Sequence, residues 1–91
     1  MEINHDKDQQ KFYFIENGKE CYVKYIMDNL KTFNILKVFV HPDLRNQGLA
    51  AKLTKAALDF AKENNLKVIP TCSYADYFIL RNKEYQELLF E

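Results

Sequence analysis

The stretch that most limits what this chain can fold into runs from Val38 to Lys52 and reads V-F-V-H-P-D-L-R-N-Q-G-L-A-A-K. An apolar, strand-like run passes through a Pro-Asp turn and a short polar loop into the start of an amphipathic helix. A loop that hands over from strand to helix leaves several backbone N–H groups without partners, and the helix dipole adds partial positive charge there. The segment therefore reads as an anion site, suited to a phosphate or pyrophosphate. One of the chain's two glycines, Gly48, sits in it.

Length and charge limit what can surround this segment. Ninety-one residues, 47% hydrophobic and 29% charged, suit one domain over residues 1–91, with a core of its own. Thirteen basic residues balance thirteen acidic ones, which removes the long-range attraction that nucleic acid or a membrane surface would require. No apolar run approaches the ~20 residues of a bilayer span, and the charged start from Met1 to Lys11 lacks the apolar core of a signal peptide. A cytoplasmic protein is expected, a monomer or weak dimer, with Cys21 and Cys72 reduced. His5, His41, Cys21 and Cys72 show no metal-ligand spacing, so no metal is expected.

Taken in order, Met1 to Gln10 has no sustained period and reads as a frayed leader with a solvated His5. Lys11 to Glu16 and Glu20 to Met27 form a hairpin about Asn17-Gly18, because both turn residues accept positive φ. Cys21 alternates with Val23 and Tyr25, which places it in the core. Asp28 to Lys31 is the next turn and Thr32 to Val40 the third strand. Phe33, Ile35 and Phe39 point one way there and Leu36, Val38 and Val40 the other, so the strand is expected to be covered on both faces. A helix from about Gln47 to Asn64 carries apolar residues at helical spacing, and Asn64-Asn65 closes it. Leu66 to Thr71 is a short strand, which makes a right-handed βαβ crossover. Ser73 and Asp76 have capping-box spacing, with helix over Tyr77 to Leu80 and further helical turns over Glu84 to Phe90. The fold class is α/β, or α+β with a mixed sheet: an antiparallel meander, a βαβ crossover, and short C-terminal helices.

Arg45-x-x-Gly48-x-Ala50, preceded by Val38-Phe39-Val40-His41-Pro42 and followed by an amphipathic helix, resembles the acetyl-CoA-binding signature of the GNAT N-acetyltransferase superfamily. Leu49 to Leu53 with Ala57, Val68 to Tyr74, and Phe78 with Arg81, Glu84 and Tyr85 are similar to its short single-domain members, the yjdJ-type group. The resemblance covers roughly Val38 to Leu88. It implies a minimal GNAT fold and an acetyltransferase, with acetyl-CoA or coenzyme A as co-substrate and a small-molecule or protein acceptor. The amides of Asn46, Gln47, Gly48, Leu49 and Ala50 are implied to hold the pyrophosphate beside Arg45. The pantetheine arm is implied to lie between strands ending at Val40 and Thr71, against Phe39, Val40, Ser73, Tyr74 and Phe78.

The chain departs from the pattern at Lys83, where proline is expected. It also lacks the later strands that usually shape the acceptor pocket and supply a tyrosine acid.

The resemblance puts the thioester near His41 and Cys72, the two candidate catalytic residues. Cys72, beside a helix N-terminus, reads either as a reactive thiolate able to accept acetyl or as a small buried strand-end side chain. His41 reads either as a base or partner for Cys72, or as a turn residue ahead of Pro42. Tyr74 and Asp76 could be an acid and a base, with Asp76 more simply a cap. The rival reading for the whole chain is a module that binds CoA or acyl-CoA without turnover and acts through a protein partner.

Overall fold

Five strands form one mixed sheet in the order β1-β2-β3-β4-β5 in a computed structural model that describes residues 2–90. They are β1 (Asn4–Asp6), β2 (Lys11–Glu16), β3 (Lys19–Asn29), β4 (Thr32–Phe39) and β5 (Lys67–Pro70). The first four are antiparallel, and β5 joins β4 in parallel after the crossover helix α1 (Leu49–Glu63). Helix α2 (Ser73–Arg81) and a 3₁₀ segment (Lys83–Leu88) follow. The mixed-sheet α+β architecture expected from the sequence is the one observed.

The hairpin between β2 and β3 turns on Asn17 and Gly18, whose φ values of 53° and 75° are the left-handed pair that such a two-residue turn needs. Three local expectations are corrected. Of the supposed frayed leader, Met1 lies outside the described residues, but Asn4–Asp6 pairs with β2. His5 is not solvated: its ring stacks on Phe12 at 4.0 Å, meets Phe60 edge-on at 4.7 Å and lies 2.5 Å from the Tyr25 hydroxyl. An isolated histidine in a polar run gives no period to read, and only the pairing with β2 reveals its face. The turn before β4 is also tighter than expected, since β3 runs on to Asn29 with an irregularity between Met27 and Asn29.

The third correction concerns β4. Tyr25 pairs with Ile35 and Lys24 with Lys37, so Leu36 is one residue too many for its partner strand. A bulge of this kind restarts the two-residue alternation. Phe33 and Ile35 before it and Val38 after it therefore all face the core, while Lys37 and Phe39 face away. The strand is covered on one face only.

That covered face carries the core. Phe12, Phe14, Cys21, Val23, Phe33, Ile35 and Val68 of the sheet are buried against Leu49, Leu53, Ala57, Leu58 and Ala61 of α1 and Ala75 and Ile79 of α2. The i, i+4 spacing of the α1 residues is what presents them as one stripe. Cys21 is fully buried, as its alternation implied. Tyr85 closes the same side: its hydroxyl donates to Asp59 Oδ1 at 2.6 Å, and Lys55 Nζ donates to Asp59 Oδ2 at 3.0 Å. Burial pushes the Tyr85 phenol up, and the Asp59 hydrogen bond pushes it further. For Asp59, burial acts to raise the carboxyl, but the bonds from Tyr85 and Lys55 outweigh it and hold it below the usual range. The terminal segment also protects β5, because Phe90 N–H donates to Val68 O at 2.9 Å beside a Val68–Leu89 bridge.

Candidate functional site

Between β4 and α1 the chain makes a 3₁₀ turn (Pro42–Leu44) that buries Leu44, then an exposed loop from Arg45 to Gly48. Asn46 and Gly48 both lie in the left-handed region, at φ 66° and 74°. Gly48 is the N-cap of α1, and no side chain caps the helix there. The first helical hydrogen bond runs from Lys52 N–H to Gly48 O at 3.2 Å. Among the described residues, the N–H groups of Leu49, Ala50 and Ala51 have no backbone acceptor, which concentrates donors and the positive dipole end at one spot. A Cβ built on Gly48 would meet nothing within 4 Å, so it is the positive φ that favours glycine there.

A cleft of about 320 Å³ opens at this spot, lined by Val38, Phe39 and Val40, by Leu44, Arg45, Asn46 and the first turn of α1, and by Tyr74. Its second wall exists because β4 and β5 part company. Their pairing ends at Ile35–Pro70, and the Cys72 N–H makes one last bond to Ile35 O at 2.9 Å before α2 begins. From Lys37 to Phe39, β4 stays paired with β3 on one side and, among the described residues, has no strand on the other. Free backbone groups along that edge can pair with an extended amide-bearing ligand. The bulge at Leu36 lies at the point of parting. An uncapped helix end and an opened strand edge thus share one cleft.

Residues 11–88 match the family described as GCN5-related N-acetyl-transferase. The chain belongs to this family. It is similar to Protein NATD1 of Danio rerio, 31% identical over 90 residues, covering 97% of this chain and 82% of the relative. Protein NATD1 of Xenopus tropicalis is 30% identical over 84 residues, covering 90% and 77%. Among solved structures, the NMR solution structure of a GCN5-like protein from Staphylococcus aureus superposes with a TM-score of 0.78 at 32% identity, covering 98% of this chain and 87% of that one.

Within this GCN5-related frame the sequence-derived residues fall into two groups. Phe39, Val40, Arg45, Asn46, Gly48, Leu49, Ala50 and Tyr74 all line the cleft, and Gln47 sits exposed in the loop between them. Arg45 Nε donates to Val40 O at 3.1 Å, which ties the guanidinium to the strand end. Burial pushes the Tyr74 phenol up, with the nearby Tyr77 adding to the effect. Phe78 lies deeper, between the rings of Tyr74 and Tyr85 at 6.4 and 6.1 Å, where it packs on the core. Ser73 is the exposed first residue of α2, and the capping box expected of it is not formed. Cys72 occupies the N-cap instead, its carbonyl accepting from Asp76 N–H at 3.1 Å, and no side chain caps α2.

The structure does not bring His41 and Cys72 together. Neither residue lines the cleft, and no hydrogen bond among the described residues joins them: the Cys72 side chain packs on the core beside its backbone bond to Ile35 at the vertex of the opening, and His41 stands past the end of β4 at the start of the 3₁₀ turn. His41 caps the 3₁₀ turn, its Nδ1 accepting from Asp43 N–H at 3.1 Å, so the neutral ring carries its proton on Nε2. Its own N–H points at Cys21 Sγ, 3.4 Å away. Sequence reasoning missed Val38, Leu44 and Ala51 as cleft residues. Val38 was hidden by the bulge, whereas Ala51 follows from counting free amides one residue past Ala50.

Proposed function

We propose that this protein binds acetyl-CoA in the cleft at the α1 N-terminus and transfers the acetyl group to an amine, or a thiol, of a small molecule or protein. The observation that carries the reading is the meeting of two unsatisfied backbone surfaces in one cleft. The N–H groups of Leu49 to Ala51, with the loop from Asn46 to Gly48 and the Arg45 guanidinium, suit a pyrophosphate. The open edge of β4 from Leu36 to Phe39 suits the amides of a pantetheine arm. A single ligand that carries both groups would span the cleft. Isothermal titration with coenzyme A tests this, and absence of heat at millimolar concentration overturns it.

Acetyl-CoA supplies an activated acetyl thioester, and the chain's part is to hold it, orient it and receive the acceptor. An arm anchored at the loop and laid along β4 leads toward the vertex, where the strand edge that β5 leaves uncovered offers backbone N–H groups as candidates for polarising a carbonyl. Cys72 is the nucleophilic side chain at that vertex. In a two-step route its thiolate would attack the carbonyl carbon, the bond from that carbon to the coenzyme sulfur would break, and the coenzyme would leave as a thiolate that takes the proton given up by Cys72. Intact-mass measurement after incubation with acetyl-CoA separates the routes. A thiol-linked adduct of wild type that is absent in Cys72→Ala supports the two-step route; an identical adduct on both removes Cys72 from it.

One observation favours the rival, a CoA-binding module without turnover: neither His41 nor Cys72 lines the cleft, and His41 Nδ1 is engaged by Asp43 N–H. Release of free CoA over a broad amine panel discriminates the two. The proposal includes a cytoplasmic setting, which two free cysteines suit.

A further inference from the structure

Both helices pack on one face of the sheet, and among the described residues the other face is left without a layer. Strand register assembles an unusual row on it. Lys11 pairs with Lys24 and Lys24 with Lys37, so three lysines stand side by side across β2, β3 and β4. Like charges directly opposite one another in a sheet are destabilising, so the row costs stability and does nothing for the core. The next rung holds Tyr13, Tyr22 and Phe39, with the last two rings stacked at 5.4 Å.

A shallow depression of about 290 Å³ lies here, lined by the three lysines with Gln9, Glu20 and Tyr22. Glu20 answers one charge, through its 3.0 Å ion pair with Lys11. The Lys24 ammonium is held by the Gln9 carbonyl, an uncharged partner. Lys37 makes no ion pair among the described residues and lies 5.7 Å above the Phe39 ring. A chain of zero net charge thus concentrates two unanswered positive charges on an uncovered, aromatic-backed surface.

The row also has a direction. It ends on Lys37, the residue after the bulge at Leu36 and two after Ile35, whose carbonyl accepts the Cys72 N–H. A segment laid along the lysines from β2 to β4 therefore leads to the vertex of the opening between β4 and β5.

We infer that this face docks an acidic, extended segment of the protein that bears the acceptor amine. Strands lie ~4.8 Å apart, so Lys11 to Lys37 spans roughly 10 Å, and alternate residues of an extended chain are ~7 Å apart, which lets two carboxylates meet the row. Peptide carboxylates fit better than a nucleic acid. Lys11 and Lys37 already cover the Tyr13 and Phe39 rings, at 5.0 and 5.7 Å, where bases would have to stack, and zero net charge gives no general pull on a phosphate backbone. The role given to the docked segment rests on the acetyl-transfer reading; the docking itself does not.

The test uses the full chain and a fluorescein-labelled eight-residue peptide with alternating glutamates and one lysine, followed by anisotropy at low salt. Binding is expected to weaken at least tenfold in Lys37→Glu, about threefold in Lys24→Gln, and to recover in Lys37→Arg, with the glutamine version of the peptide failing to bind. Equal binding by wild type and Lys37→Glu overturns the inference, as does tighter binding of a single-stranded oligonucleotide than of the peptide. Coenzyme A titration of the same samples separates the two readings: peptide bound without coenzyme leaves the docking standing and sinks the acetyl-transfer reading. Coenzyme bound without peptide does the reverse. Circular dichroism of each variant reports whether it is folded.

Discussion

The two ends of helix α1 are built on opposite plans. At the C-terminal end the carbonyls of Phe60, Ala61 and Lys62 are all answered. Asn65 enters the left-handed region at φ 56°, its N–H donates to Lys62 O at 3.3 Å, Leu66 N–H reaches back to Ala61 O at 2.9 Å, and the Asn64 side chain donates to Phe60 O at 2.9 Å. This is a Schellman closure with asparagine in the usual glycine position and a buried leucine behind it. His5 adds its ring edge against Phe60 on the same half of the helix. At the N-terminal end nothing is closed. A side-chain cap there is worth about 1 kcal/mol, and the helix forgoes it. The difference separates a region organised for stability from one organised to meet a ligand.

The largest effect that could break this contrast is in the stripe that both ends share. Leu53→Ala is expected to cost about 2–5 kcal/mol because Leu53 is fully buried, lowering the denaturant midpoint while coenzyme A affinity of the remaining folded protein stays within about twofold. Loss of affinity in proportion to stability would show that the open end is not independent of the core. Next comes Gly48→Val, which forces a β-branched residue to φ 74° and is expected to cost about 1–2 kcal/mol. Calorimetry should find coenzyme A binding weakened at least tenfold, and unchanged binding would remove the loop from the site. At the closed end, Asn65→Gly relieves a smaller strain and should raise the thermal midpoint, by up to about 1 kcal/mol in stability, without altering coenzyme binding.

The smallest effect is a pH dependence. His5 has its pKa held below 6.5, first by burial and then by Lys7, with Asp6 acting the other way. A depressed folded-state pKa means that the unfolded chain takes up the proton first. Stability from the neutral ring is therefore present above pH 6.5 and is lost as pH falls from there through the folded pKa. Thermal midpoints between pH 7.5 and 5 should fall less steeply for His5→Gln than for wild type; parallel curves would show that His5 is not the group responsible.

The same contrast explains what could be read from the chain in advance. Features written in consecutive residues were legible: the Asn17-Gly18 turn, the α1 stripe, the Asn64-Asn65 closure and the loop from Arg45 to Ala50. Features that depend on a distant partner were not. The strand at Asn4–Asp6 is too short to show alternation and exists only through β2. The surplus residue in β4 cannot be seen without the register of β3, and missing it sets Val38 and Val40 on the face opposite Ile35, whereas all three pack on the core. Ser73 and Asp76 have the spacing of a capping box, but the helix begins one residue too early for Ser73 to serve as its cap.

Leu36 gives the cleft an unusual genetic sensitivity. Because it is one residue beyond what β3 can pair, removing it would leave Lys37 still facing out and Val38 still facing in, so neither face of the sheet would have to be redesigned. A regular β4 would then be free to run on beside β5 and narrow the gap between them. Substitutions can only decorate this opening; a single-codon deletion is the change that could abolish it while sparing the fold.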